Sequence, residues 1–317
     1  MTAPPCPITG DASPVLVQKL GRRFLHAMWR HVHGVAPTPL AASGPPIGLW
    51  RSACGLMFFH PPVAGDGDFY RAYYRSMDSY RHDRAAPERR PEFVETAEHL
   101  RPGDRVLDVG AGAGAGGLDR LLPAGATWQG LDPYLGQDVP GIVRETLEEH
   151  AAKHPAAYDA VCAFQVLEHV EHPRRFAEDM VACLKPGGLL VIGVPLWPSP
   201  FTEIPNFPLN APPHHLTWWN PDALRSLAGV LGLEVVRAEA LPPPGTVAAA
   251  TLFWLRRLLP VRTSGGRYFA HRWSWWLSLL VAGTAARALL RLGNRQAPAD
   301  AQSIDAYLVA RKPPAPG

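Results

Sequence analysis

Val106-Leu107-Asp108-Val109-Gly110-Ala111-Gly112-Ala113-Gly114 is the stretch on which the fold turns. An aliphatic run with one carboxylate passes directly into alternating glycines. That pattern ends a buried strand and bends the chain sharply towards a helix. Gly110, Gly112 and Gly114 permit positive φ and let the backbone approach a ligand with no Cβ in the way. The carboxyl end of a leading strand is where open α/β sheets bind ligands. Gly112, Gly114 and Gly117 also satisfy G-x-G-x-x-G, so the loop alone fits a dinucleotide diphosphate as well. Asp108 tilts the choice. A carboxylate two residues before Gly110 attracts a cationic amino group and repels a diphosphate, most strongly where water is excluded. Asp132 ends the next expected strand, in Gly130-Leu131-Asp132-Pro133, and can accept both hydroxyls of a ribose. That second carboxylate does not discriminate between nucleoside cofactors.

Outward from this loop, short aliphatic runs alternate with helical patterns and glycine turns over 91–240. Such alternation signals a mostly parallel sheet with helices on both faces. Strands are expected over 105–109, 127–131, 142–144, 159–164, 189–194 and 233–240, with a last one over 304–310. Helices are expected over 92–100, 117–122, 173–184 and 221–231. In the third of these, Phe176, Met180, Val181 and Leu184 recur at helical spacing behind Pro173, and Pro186-Gly187-Gly188 stops the run. Asn220 is placed to cap the fourth, with Pro221 at its first position. The chain divides into an N-terminal extension (1–90), the α/β core (91–240), a basic Trp-rich helical insert (241–300), and the last core strand with a Pro-rich tail (301–317).

The 317 residues are 47% hydrophobic, enough to bury one α/β domain with additions. A formal charge of +3 gives no global case for nucleic acid, which is not expected as a partner. Four cysteines make no dense disulfide framework, so a reducing compartment is the default. The first 21 residues carry Pro4, Pro5 and Pro7 and no apolar core of a signal peptide, which favours a cytoplasmic location.

Four blocks together resemble the class I S-adenosylmethionine (SAM)-dependent methyltransferases, within them the small-molecule, ubiquinone-biosynthesis-like group. They are 106–114, 130–133, 158–170 and 184–195, in family order and at family spacing. The third contains Phe164-Gln165-Val166-Leu167-Glu168-His169, the fourth Leu184-Lys185-Pro186-Gly187-Gly188. The resemblance implies a Rossmann-like seven-stranded sheet with one antiparallel edge strand, and SAM as cofactor. It implies that Asp108, Gly110, Gly112 and Gly114 hold the methionine portion and Asp132 the ribose. By the same likeness Thr146 and Leu147 lie at the adenine, and Phe164 and Gln165 beside the sulfonium. Glu168 and His169 would begin the acceptor-facing segment.

A second likeness lies near the N-terminus. Cys6-Pro7-Ile8-Thr9 and Arg51-Ser52-Ala53-Cys54-Gly55 resemble a zinc-ribbon segment, with Thr9 and Arg51 where two thiolates belong. Two cysteines do not close a tetrahedral site, so no metal is expected.

Displacement at a sulfonium methyl needs a nucleophile held in line, about 3 Å away. Where the acceptor carries a proton, a general base adds about two to four orders of magnitude. The candidates are His169, His214 and His215, the last two in a loop that also resembles the family. The expected activity is methyl transfer to oxygen or carbon of a small or lipid-like acceptor. The insert sharpens the lipid alternative. No acidic residue occurs between Glu239 and Asp300, while Arg256, Arg257, Arg262, Arg267, Arg272, Arg287, Arg291 and Arg295 stand among Trp254, Trp273, Trp275 and Trp276. Tryptophan and arginine beside short apolar helices suit an anionic membrane surface, contacted peripherally through 246–295; packing on the core or on a second subunit is the competing reading. Two rivals remain at this level: an NAD(P)-dependent oxidoreductase on a Rossmann sheet, and a non-catalytic SAM-binding, membrane-associated protein.

Overall fold

The computed structural model describes residues 2–76, 90–112, 117–135, 137–244, 247–263, 266–293 and 301–314. The chain opens with β1 (Val15–Leu20), α1 (Arg22–His33), the hairpin β2 (Ile47–Arg51) and β3 (Met57–His60), and α2 (Gly67–Ser76). Helix α1 buries Leu25, Met28 and Trp29, one stripe at helical spacing. Gly34 ends it with φ of 67°, where only a residue without Cβ sits without strain. The short strands and crowded aromatics of this region left little periodicity to read, yet it is regular.

The core follows: α3 (Pro91–His99), β4 (Arg105–Val109), β5 (Thr127–Leu131), β6 (Ile142–Val143), α4 (Leu147–Lys153), β7 (Tyr158–Phe164), α5 (Pro173–Cys183), β8 (Leu184–Pro195), β9 (Thr217–Trp218), α6 (Pro221–Val230) and β10 (Glu234–Ala240). Then come α7 (Val247–Leu258), α8 (Trp273–Arg291) and β11 (Asp305–Arg311). Proline opens α3, α5 and α6, where its missing N–H costs nothing. Asn220 caps α6 by accepting from the Ala223 N–H at 2.8 Å, a contact of about 1 kcal/mol.

Seven strands form one sheet in the order β10-β11-β8-β7-β4-β5-β6. The pairs from β8 to β6 are parallel, so their carboxyl ends gather along one rim. β11 runs antiparallel to both β8 and β10. The antiparallel strand is therefore not the edge, as the sequence resemblance had implied; β10 is. Lying one place inside lets β11 pair along both sides, and all its residues but Arg311 are buried.

The expected helix over 117–122 is also corrected: a single 3-10 turn, Leu118–Leu121, stands there. Gly117 enters with non-helical φ of −141° and ψ of −103°. Pro123 then pushes Leu122 out of the α region, to ψ of 142°. β8 begins earlier than expected because Pro186-Gly187-Gly188 continues the strand. A Cβ on Gly188 would meet the carbonyl oxygens of Lys185 and Asp159 at 2.9 and 3.0 Å.

A second sheet, β1-β2-β3-β9, joins the N-terminal strands to Thr217–Trp218 from the core. Trp50, Leu56 and Phe58 share one buried cluster with Leu107, Ile192 and Trp219. The first seventy residues are thus packed over the loop that follows β8, which decides what surrounds the site. Cys6 and Cys54 lie side by side, Sγ to Sγ 3.9 Å, and Arg51 is exposed on the hairpin.

Candidate functional site

Parallel register sets Asp108 of β4 beside Gly130 of β5 and Cys162 of β7. The Asp108 carboxylate is buried, and the Trp128 indole N–H donates to it at 3.4 Å. Desolvation pushes its pKa up to about 7, against the opposing effects of that indole and of Arg90. One residue beyond β4, the chain folds across the tip of β5: the N–H groups of Gly110 and Ala111 both donate to the Leu131 carbonyl, at 2.7 and 3.2 Å. Gly110 has φ of 77°, and a Cβ there would fall 2.4 Å from Val166. Gly112, with φ of 63°, donates its N–H to Asp132 Oδ2 at 2.9 Å. The Tyr134 N–H donates to Asp132 Oδ1 at 2.9 Å. Asp108, Gly110, Gly112 and Asp132 are thereby gathered on one rim; Gly114 lies outside the described residues.

Thr146 and Leu147 stand at the start of α4. The Thr146 hydroxyl accepts from the Glu149 N–H at 3.2 Å, and the Thr146 backbone N–H donates to the Glu149 carboxylate at 2.9 Å, closing a capping box. Leu147 is buried in the same cluster as Leu131. Phe164 ends β7 with its ring edge-on to Phe93, 5.0 Å between centroids. Gln165 follows with φ of 59° and donates its side-chain amide to Asp305 Oδ1 at 3.0 Å.

That contact exposes neighbours the sequence did not point to. Asp305, at the head of antiparallel β11, meets the carboxyl end of β8. Burial pushes its carboxyl up to about 7, with Glu92 adding to the shift and Arg90 and Gln165 opposing it. Glu92 is buried and accepts from Arg90 Nε at 2.8 Å. A lone acid at the head of an apolar strand was the only available signal for Asp305.

On the far side of Gln165, Leu167–His169 makes a 3-10 turn, and the loop after β8 brings His214 and His215 to it. The Leu216 N–H donates to the Glu168 carbonyl at 2.7 Å, and His169 Nδ1–H donates to the His214 carbonyl at 2.7 Å. Ring centroids are 4.4 Å apart for His169 and His214, 5.0 Å for His169 and His215, and 4.7 Å for His214 and His215. Burial holds all three imidazoles neutral, with His169 down to about 4 and the other two well lowered. Burial also pushes Glu168 up to about 8. All three candidate bases therefore meet in one place. Trp29 from α1 and Tyr70 and Tyr73 from α2 form the wall around His214.

A cleft of about 360 Å³ lies elsewhere, between Arg105, Thr127, Trp128 and Tyr158. Arg105 and Thr127 open β4 and β5, so this cleft reaches the wrong end of the strands to be the site.

A family model described as a methyltransferase domain matches residues 77–238. Ubiquinone biosynthesis O-methyltransferases of Klebsiella pneumoniae and Escherichia coli are 41% and 40% identical over 98 residues, 27% of this chain. The chain spans about 40% of the length of these relatives. Among solved structures, the 1,6-didemethyltoxoflavin-N1-methyltransferase of Burkholderia thailandensis is 16% identical with a TM-score of 0.48, over 84% of this chain and 96% of that one. A SAM-dependent methyltransferase from Archaeoglobus fulgidus is 17% identical with a TM-score of 0.45, over 74% of this chain and 100% of that one.

Proposed function

The chain belongs to the methyltransferase-domain family, the SAM-dependent enzymes its sequence resembles, and on that premise we propose that it methylates oxygen or carbon of a small or lipid-like acceptor. The observation that carries this reading is Asp108. A carboxylate with its pKa raised to about 7 by burial, at the tip of the leading strand, gains most from an arriving cation. The amino group of SAM is such a cation; a nicotinamide dinucleotide would bring a diphosphate to the same bend.

SAM supplies a methyl group already activated by its positive sulfur. The chain's own residues then have to bind, orient and manage one proton. Asp108 and the backbone at Gly110 and Gly112 hold the amino-acid end. Asp132 keeps lone pairs free beyond its two backbone contacts, and these accept the ribose hydroxyls. Phe164 and Gln165 border the reacting centre. The proton lost by the acceptor is assigned to the neutral imidazoles of His169, His214 and His215, at the same rim. Identity to ubiquinone biosynthesis O-methyltransferases supports oxygen as the acceptor atom.

The lipid-like alternative has its own support. Trp273, Leu277, Leu280 and Val281 are exposed by 77, 48, 63 and 52% along one face of α8. Arg257, Arg267, Arg272, Arg287 and Arg291 are exposed in the same region. An apolar ridge flanked by arginines fits an anionic membrane surface. No helix among the described residues is long and apolar enough to cross a membrane.

Calorimetry with SAM and with NAD, then methyl transfer to fractionated cell extract, tests the reading. SAM binding with turnover supports it. Binding without turnover leaves a non-catalytic SAM protein. Tight NAD binding with indifference to SAM overturns it.

A further inference from the structure

Two groups of three ligating side chains stand out among the described residues, and they differ in one respect. Glu145, His150 and His154 form the first. There His150 Nδ1 meets Glu145 Oε1 at 2.5 Å and Nε2 meets the Tyr158 hydroxyl at 2.8 Å, while Lys153 also pairs with Glu145. Both nitrogens of its central imidazole are used. The second group is His169, His214 and His215, whose ligating nitrogens all lie within 4.8 Å of one another. Here the polar atoms are not used up. His214 Nδ1 and both carboxylate oxygens of Glu168 are buried without a hydrogen-bond partner. Glu168 is 1% exposed, and His214 and His215 are 6% exposed.

We infer that His169, His214 and His215, with the carboxylate of Glu168 beside them, bind one divalent transition-metal ion. The chemistry of the donor set favours an ion of the zinc class, since neutral imidazoles suit zinc, cobalt and nickel rather than magnesium or calcium. His169 is arranged as a ligand. Its Nδ1–H is committed to the His214 carbonyl, which fixes the tautomer and leaves the Nε2 lone pair to face inward; metal-bound histidines are commonly held this way. Glu168 Oε1 lies 3.5 Å from His169 Nε2 and 4.0 Å from His215 Nε2, close enough to supply negative charge or a fourth ligand. In a tetrahedral site with bonds of about 2.0–2.1 Å the nitrogens stand about 3.3 Å apart, so the cluster closes by small side-chain rotations. No ligand spacing was readable in the sequence, because the donors come from two loops, 45 residues apart at His169 and His214.

This deepens the methyl-transfer reading and, in its catalytic part, rests on it: an ion there would lower the pKa of an acceptor hydroxyl instead of leaving that proton to a histidine. Metal binding itself does not depend on turnover.

The test is a titration of the purified, tag-free chain with Co²⁺, read by its visible d–d absorption, and with Zn²⁺, read by competition. One equivalent is expected. His214→Ala and His215→Ala should each weaken binding by about 100-fold or more. His150→Ala, in the other histidine group, should leave stoichiometry and spectrum unchanged. Should His214→Ala fail to fold, His169→Gln and Glu168→Gln report on the same ion. Absence of a specific Co²⁺ spectrum, or one unchanged in all four cluster variants, overturns the inference. Turnover of metal-free protein at the full rate removes its catalytic part and leaves the methyl-transfer reading intact. Metal binding without methyl transfer does the reverse.

Discussion

Asp132 ties the glycine bend to the second strand: its Oδ2 accepts the Gly112 N–H at 2.9 Å, while its Oδ1 accepts the Tyr134 N–H at 2.9 Å. One carboxylate thus shapes the loop and fronts the place assigned to the ribose. Asp132→Ala should therefore weaken SAM binding by about 10- to 100-fold, as for loss of charge-assisted hydrogen bonds. Calorimetry checks this. Unchanged affinity would remove the ribose assignment.

Asp108 makes cofactor binding depend on pH. Its pKa is raised from 3.8 to about 7, so the carboxyl is largely protonated below that value. A cation needs the ionised form. Affinity for SAM should rise with pH and level off above about 7, changing by about tenfold per unit on the acid side. The contribution of Asp108 to the stability of the unliganded protein runs the other way. The folded state holds this proton more tightly than the unfolded chain does. Its stabilising contribution is full below the unfolded value and is lost as pH rises through about 7; Glu168 and Asp305 act in the same sense, and the buried neutral His169, His214 and His215, whose values are lowered, act in the opposite one. Melting of the wild type and of Asp108→Asn, each with and without SAM between about pH 5 and pH 8, isolates the Asp108 contribution. Asp108→Asn should flatten the affinity profile; a profile as steep as that of the wild type would place the titrating group elsewhere.

How much of this was legible follows from the range of the contacts. β4, β5, β7 and the bend after Val109 were readable because strand, glycine and acid are neighbours in sequence. The rim position of Asp132 followed from the same local pattern. Asp305 reaches Gln165 across 140 residues, and Trp29 reaches the Pro212 carbonyl across 183. No local periodicity encodes either contact. Tyr70 and Tyr73 meet His214 through the packing of α2, which no local spacing encodes either. The helix expected after the glycine bend failed for a local reason: Pro123 ended it within one turn.

Gly110 is the loop position least able to change. A Cβ there would lie 2.4 Å from Val166, in a backbone with φ of 77°. Gly110→Ala should destabilise the fold by at least about 2 kcal/mol, combining left-handed strain with overpacking. Adding Val166→Ala should recover the packing part and leave the backbone part. Denaturant midpoints of the three chains test the split. Wild-type stability in Gly110→Ala would mean the bend does not press on Val166.

The ridge on α8 should seek lipid. Full burial of an apolar side chain is worth about 1.5–3 kcal/mol, and each arginine near an anionic surface adds about 1 kcal/mol. Trp273 and Leu280, the most exposed of the four residues along that face, bear most of the apolar share. The wild-type chain should sediment with anionic vesicles at low salt, less with neutral ones, and Trp273→Ser with Leu280→Ser should cut binding by about tenfold or more. The arginines make salt the discriminating variable, because surface attraction is screened within about 10 Å at 0.1 M ionic strength. If the same double variant instead breaks a dimer seen by analytical centrifugation, and vesicles bind neither chain, the ridge is covered by a second copy and the membrane reading fails.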